Sequence, residues 1–258
     1  MKIKRRVARG ITLKAPWELD RLRYANKIVR EVLELLRDTA QPGISTQDLD
    51  RIAYEYIIRQ NAKPAFLHYR GYPATICISL NHEVVHGIPS TERIVKEGDL
   101  VSIDVGAIYN DYIGDAAISF CVGHGNERVD RLIKVTEESL YKGIEQVRPR
   151  KRIGDISHAI QLYVEISGYN VVKKFVGHGV GRMLHEPPEI PNYGKPKQGP
   201  MLKPGMVLAI EPMVNEGTGD VMVLEDGWTA VTADGKLSAH FEHSVAVTKN
   251  GPEILSRI

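Results

Sequence analysis

The chain has 258 residues, of which 43% are apolar and 26% are charged, and its formal net charge is +2. This composition is typical of a globular protein with a sizeable core and excludes a mostly disordered chain. No apolar run reaches the roughly 18 residues of a membrane span, and no apolar signal segment follows the N-terminus, so we expect no membrane association. The cysteines, Cys77 and Cys121, form no CxxC pair, which favours a cytoplasmic location.

The first 15 residues are predicted to form a basic N-terminal arm. Six basic residues precede the first acid, Glu18. They are Lys2, Lys4, Arg5, Arg6, Arg9 and Lys14. Contact with a phosphate backbone such as ribosomal RNA is one interpretation of this arm. A solvated tail and an organellar transit peptide are the alternatives.

Two helices are predicted next. Pro16 is expected to begin the first, because apolar residues recur every three or four positions between Trp17 and Leu36. Gln41-Pro42-Gly43 ends it, and Ser45 caps a second helix with an apolar face from Leu49 to Ile57. The helical pattern returns at 129–144 and 155–166.

Strand patterns follow the helices in both halves of the chain. They cover residues 75–80, 100–107, 113–122, 206–214, 221–224 and 241–247. Helices grouped before strands, without strict alternation, predict an α+β fold with a largely antiparallel central sheet.

The two halves align after a shift of 107 positions. The shift places Asp48 on Asp155 and lays residues 96–104 over residues 203–211. Matches in two places at one offset indicate a duplication. We therefore expect a single domain, 16–258, made of two pseudo-symmetric halves at about 16–123 and 124–258 that face each other across a cleft.

Acidic residues occur on the predicted strands, where a buried carboxylate needs a partner. If Tyr109-Asn110 is a hairpin turn, Asp104 and Asp115 lie directly opposite each other, about 5 Å apart, and repel unless a cation lies between them. The 107-residue offset carries Asp104 onto Glu211, and Glu242 lies at the start of a strand. Exposure or a salt bridge for one acid is the alternative. Four carboxylates match the charge of two divalent ions.

Three histidines are further candidates. His178 lies in Gly-His-Gly-Val-Gly (177–181), which we interpret as a loop, and His185 follows in His-Glu-Pro-Pro. His86 lies in His-Gly-Ile-Pro (86–89). Taken singly, each is more often a plain loop residue than a ligand. Carboxylates with one imidazole suit Mn, Fe, Co or Zn.

Together these segments resemble the type I methionine aminopeptidases of the short bacterial kind, which have the pita-bread metallopeptidase fold. The resemblance spans nearly everything from Trp17 to Gly251. It rests on Asn81, residues 84–89, Asp104, Gly114-Asp115, residues 177–181, residues 185–188, residues 210–214 and Glu242-His243. The pattern of five ligands belongs to the whole fold, whereas residues 86–89 and the compact length point to the methionine branch.

The resemblance implies two divalent ions, from among Mn, Co, Fe and Zn, and one monovalent cation. The implied ligands of the divalent pair are Asp104, Asp115, His178, Glu211 and Glu242, with Asp115 and Glu242 bridging. The monovalent site would involve Asn81 and Ser238.

The resemblance also implies roles in binding and catalysis. Glu211 would move a proton, His185 would stabilise the tetrahedral intermediate, and His86 would contact the scissile amide. The counterparts of the methionine pocket are Phe66, Tyr69, Tyr72, Cys77, Leu184 and Trp228. Aromatic and sulfur groups suit a thioether, although ordinary core packing is the alternative, above all for Cys77. Phe66 and Leu184 stand where some relatives carry Cys and Phe, and Gly106 stands where some carry Thr.

The expected function is removal of the N-terminal methionine from nascent polypeptides whose second residue is small, by a monomer. An X-Pro aminopeptidase or prolidase, which usually carries an added N-terminal domain, is one alternative. A non-catalytic binding protein on the same fold is the other, although such proteins lose metal ligands.

Overall fold

The computed structural model describes residues 6–7 and 10–257. Its α-helices are α1 (Pro16–Thr39), α2 (Thr46–Arg59), α3 (Glu127–Ile144) and α4 (Ile153–Ile166), and Tyr69–Gly71 forms a 3-10 turn. The strands of the first half are β1 (Arg6–Val7), β2 (Ile11–Thr12), β3 (Lys63–Pro64), β4 (Ile76–Leu80), β5 (Glu83–Val85), β6 (Leu100–Tyr109) and β7 (Tyr112–Cys121). Those of the second half are β8 (Asn170–Val171), β9 (Gly177–Gly179), β10 (Glu186–Ile190), β11 (Val207–Ile210), β12 (Met213–Asn215), β13 (Val221–Val223), β14 (Ala230–Thr232), β15 (Ser238–His240), β16 (Glu242–Thr248) and β17 (Gly251–Ile254).

A large antiparallel sheet forms the centre of the molecule. Its strand order is β10-β9-β11-β16-β7-β6-β3, with β4 also pairing with β6 and β17 with β16. Two three-stranded sheets, β15-β12-β8 and β13-β14-β5, flank it. The predicted α+β class with a central antiparallel sheet is confirmed. No helix in the described part of the chain is long and apolar enough to cross a membrane.

Helix α1 covers the middle of this sheet. It begins at Pro16 as predicted, and the Glu18 carboxylate accepts a hydrogen bond from the Ala15 N–H at 2.8 Å. Its buried stripe includes Leu22, Val29 and Leu36, and the helix packs against β6 and β7. Burying each such side chain contributes about 1.5–3 kcal/mol. The stripe therefore holds α1 on the sheet.

The elements recur at the offset of 107 residues. Helices α2 and α4 both have 14 residues and begin at positions 46 and 153. Strands β3 and β8 begin at 63 and 170, and β6 and β11 begin at 100 and 207. The Ser45 oxygen caps α2 by accepting from the Asp48 N–H at 3.0 Å, as predicted.

Two predicted elements differ from the structure. The strand at 206–214 is interrupted, because β11 ends at Ile210 and β12 begins at Met213 in another sheet. Pro212 has no N–H to donate to a continuing ladder, which explains the break. Residues 177–179 form strand β9 between β10 and β11 and are not a loop. A Cβ on Gly177 would lie 2.4 Å from the Ala209 carbonyl oxygen, so glycine is what allows this close pairing.

The predicted arm boundary also needs correction. Ile11 is buried, and the Lys14 N–H donates to the Gly205 carbonyl at 2.7 Å, so residues 11–15 pack on the body of the protein. Lys2, Lys4, Arg5 and Arg9 lie outside the described residues, and the Arg6 side chain is not described.

Candidate active site

The β6–β7 hairpin positions two of the predicted ligands. Its turn is Asn110-Asp111, both with positive φ (47° and 67°), as in a two-residue hairpin loop. The predicted turn at Tyr109-Asn110 was one residue too early. Asp104 therefore pairs with Ala117, and Asp115 pairs with Gly106. The two aspartates are diagonal neighbours on one face and not a directly opposed pair, because a shift of two residues keeps the face.

Ala117 is the centre of the acidic cluster. On one side it pairs with Asp104 of β6, and on the other it pairs with Glu242 of β16. Asp115 lies two residues away on the same face of β7. Three carboxylates therefore surround one small side chain.

Glu211 and His178 approach this cluster from the second half. Glu211 directly follows β11, and His178 pairs with Ala209 of the same strand. The His178 Nε2 atom lies 3.4 Å from a Glu211 carboxylate oxygen and 3.7 Å from an Asp115 oxygen. Potential ligand atoms of Asp115, His178 and Glu242 all lie within 4.8 Å of one another.

His178 presents a neutral nitrogen to these acids. Its Nδ1 lies 3.0 Å from the Gly179 carbonyl, which can only accept, so Nδ1 carries the proton and Nε2 offers a lone pair. Burial, helped by the charge of nearby His185, lowers the pKa of His178 to about 3. The imidazole is therefore neutral near pH 7, as a metal ligand must be.

The carboxylates are unstable as bare anions. Burial raises the pKa of Asp104 to about 7. Burial and the neighbouring acids raise the pKa values of Asp115, Glu211 and Glu242 well above their ordinary range. One oxygen each of Asp104, Asp115 and Glu242 is buried without a hydrogen-bond partner among the described residues. Such oxygens fit hard divalent cations, so the donor set suits a metal centre.

The cluster lies in a cavity of about 360 Å³. Each residue of the predicted methionine pocket borders it, namely Phe66, Tyr69, Tyr72, Cys77, Leu184 and Trp228. The Tyr72 and Trp228 rings meet edge to face with centroids 5.1 Å apart. The Tyr72 hydroxyl lies 3.0 Å from the carbonyl oxygens of both Ile76 and Gly87, and its one proton can be donated to either. Gly106 faces the same wall, where a Cβ would lie 2.6 Å from a Phe66 ring carbon. Glycine at 106 thus makes room for phenylalanine at 66.

Two more histidines line this cavity. The His185 Nδ1 lies 2.8 Å from the Tyr69 hydroxyl, and its ring centroid is 4.3 Å from that of His178. His86 has a positive φ of 62° and packs edge-on against Phe175. The pKa of His86 is lowered to about 4, mainly by burial and secondly by the charge of His185. The pKa of His185 is also lowered, mainly by burial and secondly by the charge of Arg70.

The predicted monovalent-cation residues lie outside this cavity lining. The Asn81 side chain donates to Asp99 and accepts from the Leu100 N–H. The main-chain carbonyl of Asn81 accepts from the Ser238 N–H at 2.9 Å, and the Ser238 hydroxyl donates to the side-chain oxygen of Asn215. Both side chains are thus engaged with the protein, and a cation there remains a prediction.

Four residues that line the cavity were not predicted from the sequence. They are Arg70, Lys174, Phe175 and Val176. They are sequence neighbours of predicted site residues, which could have indicated them. Arg70 follows Tyr69, and residues 174–176 precede Gly177-His178.

Comparisons with known proteins give the family. The family model described as metallopeptidase family M24 matches residues 20–249. A methionine aminopeptidase of Clostridium acetobutylicum is 53% identical over 246 residues, covering 95% of this chain and 98% of that protein. Methionine aminopeptidase 1 of Bacillus subtilis is 52% identical over 248 residues, covering 96% of this chain and all of that protein.

Solved structures agree with this assignment. The crystal structure of methionine aminopeptidase from Thermotoga maritima matches with a TM-score of 0.94 at 49% identity, over 96% of this chain and 100% of that one. A prolidase from Pyrococcus furiosus matches with a TM-score of 0.79 at 24% identity, over 95% of this chain and 65% of that one, which shows the shared pita-bread fold alone. By fold, site and near full-length identity, the chain belongs to the methionine aminopeptidases of metallopeptidase family M24.

Proposed function

We propose that this protein is a metal-dependent aminopeptidase that removes the N-terminal methionine from nascent polypeptides whose second residue is small. The observation that carries the proposal is the group of four carboxylates, two buried and two half-buried, with one neutral imidazole at a cavity that aromatic residues line. The full-length relatives named methionine aminopeptidase support the substrate.

Two divalent ions fit this donor set. By the family resemblance, Asp115, His178, Glu211 and Glu242 would hold one, and Asp104, Asp115 and Glu242 would hold the other. Four carboxylates balance two such ions in charge. Mn, Co, Fe and Zn all accept these ligands. When bound, the ions supply the Lewis acidity that activates water and polarises the scissile carbonyl.

Protein groups supply the remaining steps. Glu211 would take a proton from the attacking water and pass it to the leaving amine. If the Tyr69 hydroxyl donates to Nδ1, His185 carries its proton on Nε2 and would donate it to the developing oxyanion. His86, neutral because burial lowers its pKa, would contact the scissile amide.

Substrate selection follows from the cavity lining. The six pocket residues would receive the methionine side chain, because aromatic and sulfur groups pack well on a thioether. The free α-amine would lie near Asp104, which explains removal of a terminal residue only. By the family resemblance, little space remains for a large second side chain.

A chelator experiment tests the reaction class. The protein is stripped of metal, and Met-Ala-Ser and Ala-Pro-Ser are assayed while Mn, Co, Fe or Zn is added separately. We expect a metal to restore release of methionine and to leave Ala-Pro-Ser intact. Cleavage of Ala-Pro-Ser would favour the X-Pro branch, and binding of metal without cleavage of either peptide would favour a non-catalytic binding protein.

Cellular context completes the proposal. We place the protein in the cytoplasm as a monomer, with residues 2–9 contacting the ribosome and a monovalent cation at Asn81 and Ser238. Of the six basic residues near the N-terminus, Lys14 forms an ion pair with Glu186, so we do not include it among the residues that would bind RNA. Deletion of residues 2–9 should weaken co-sedimentation with ribosomes and leave peptide cleavage unchanged. Unchanged co-sedimentation would exclude the ribosomal role.

A further inference from the structure

A second cavity adjoins the candidate active site. It has a volume of about 520 Å³ and lies between residues 170–174 and residues 219–221. Lys174 borders this groove and also borders the active-site cavity. Lys174 is the residue that the two linings share, and Glu165, Lys173 and Asp220 also line the groove. A peptide with its N-terminus at the acidic cluster would pass Lys174 if it continued into this groove.

The charges around the active-site cavity differ with depth. The acids of the cavity are little exposed, as the side chains of Asp115 and Glu211 show, with 4% and 14% exposed. Arg70 and Lys174 are exposed and are its cationic residues. Neither cation has an ion-pair partner among the residues that the structure describes. Two exposed cations therefore border a cavity whose interior is acidic.

Arg70 already influences the catalytic end. Its guanidinium lies 5.4 Å from the centre of the Tyr69 ring, and its charge contributes, after burial, to the lowered pKa of His185. An extended peptide advances about 3.3 Å per residue, so its third residue lies roughly 7 Å beyond the first. That distance takes the third side chain away from the acidic cluster, where the exposed cations of the lining, Arg70 and Lys174, would be its charged neighbours.

We propose that the substrate chain leaves the active-site cavity past Lys174 into the adjoining groove, and that Arg70 and Lys174 favour substrates with an acidic third residue. This inference rests on the proposed function and specifies its substrate class. Exposed charges interact weakly, so the preference over a neutral side chain of the same shape is about two- to fivefold at low salt. It disappears near 1 M salt, where screening acts within about 3 Å.

Matched peptides test the inference. Met-Ala-Asp-Ala-Ala and Met-Ala-Asn-Ala-Ala differ by one charge, and the ratio of their kcat/KM values is measured with the metal-loaded enzyme. We expect a ratio of about two to five for the wild type. Lys174→Glu should bring the ratio to one or below, and Arg70→Gln should lower it. All variants are assayed at low salt and at 1 M salt.

Lys249→Glu is the control for net charge. Lys249 is exposed and directly follows β16, seven residues beyond Glu242 and roughly 23 Å away. We expect this variant to keep the wild-type ratio. A kcat/KM ratio of one for the wild type would overturn this inference but not the proposed function. Equal changes of the ratio in Lys174→Glu and Lys249→Glu would do the same. Release of no methionine from either peptide by the wild type would instead overturn the proposed function, and this inference with it.

Discussion

The ammonium of Lys14 lies 2.6 Å from the carboxylate of Glu186, although 172 residues separate them in the chain. Both side chains are almost fully buried, with 6% and 7% exposed. The same carboxylate accepts from the Thr12 hydroxyl at 2.8 Å and from the Arg182 N–H at 2.9 Å. Because Glu186 directly follows His185, this ion pair ties the N-terminal segment to the turn that carries a candidate catalytic group.

Lys14→Met should lower the free energy of unfolding by about 3–5 kcal/mol, because it leaves a buried carboxylate without its counter-ion. The double variant Lys14→Met/Glu186→Gln should lose less than the sum of the single variants. Urea unfolding of all four proteins measures this, with Lys14→Arg as the conservative control. Additive effects would show that the pair is not coupled.

The pH dependence of this ion pair has a definite sign. Despite burial, the Lys14 charge and the hydrogen bonds hold the pKa of Glu186 below its ordinary 4.5. The stabilisation is therefore present above pH 4.5 and is lost as the pH falls through the lower, folded-state value. Lys14→Met should show a smaller loss of stability over that acidic range than the wild type.

Asp104→Asn should stabilise the metal-free protein at pH 8 by on the order of 2–4 kcal/mol. Burial raises the pKa of Asp104 to about 7, so the folded state binds its proton more tightly than the unfolded state. The wild type therefore loses stability as the pH rises from about 4 to about 7, and the variant lacks this contribution. Unfolding in chelator at pH 5 and pH 8 measures the difference. Equal slopes in both proteins would contradict the prediction.

Gly106→Ala should destabilise the protein by about 1–3 kcal/mol, because the added Cβ would lie 2.6 Å from Phe66 and 2.9 Å from the Ala65 Cβ. Phe66→Cys should remove the first clash and leave the second. The double variant is therefore expected to lose less stability than the sum of the two single variants. Thermal unfolding measures this, and strict additivity would show that the two positions do not compensate.

His185→Ala should lower kcat by about 10²–10³-fold with little change in KM, because the proposed interaction forms mainly in the transition state. Tyr69→Phe removes the hydrogen bond to Nδ1 and keeps the ring, so its loss in kcat should be smaller. Steady-state kinetics of the metal-loaded enzymes separate the two constants. A change confined to KM would argue against the oxyanion role.

Local patterns predicted much of the fold. The start of α1 at Pro16 and the cap at Ser45 depend only on neighbouring residues, so a short stretch of sequence is enough to predict them. The 107-residue offset also placed Glu211 in the position that corresponds to Asp104. The hairpin register was missed by two residues, because Asn110 and Asp111 can both adopt positive φ and a pattern of apolar residues does not distinguish the two turns.

The sequence by itself identified the candidate groups of the site, because four carboxylates on apolar strands need cations to balance their charge. Tertiary structure decided which groups meet. Asp104 and Glu242 lie on the two sides of Ala117 only because β16 and β6 both pair with β7. The same long-range packing buries Lys14 against Glu186 and brings Lys174 to the lining of the active-site cavity. Such contacts join residues far apart in the chain, and no local pattern encodes them.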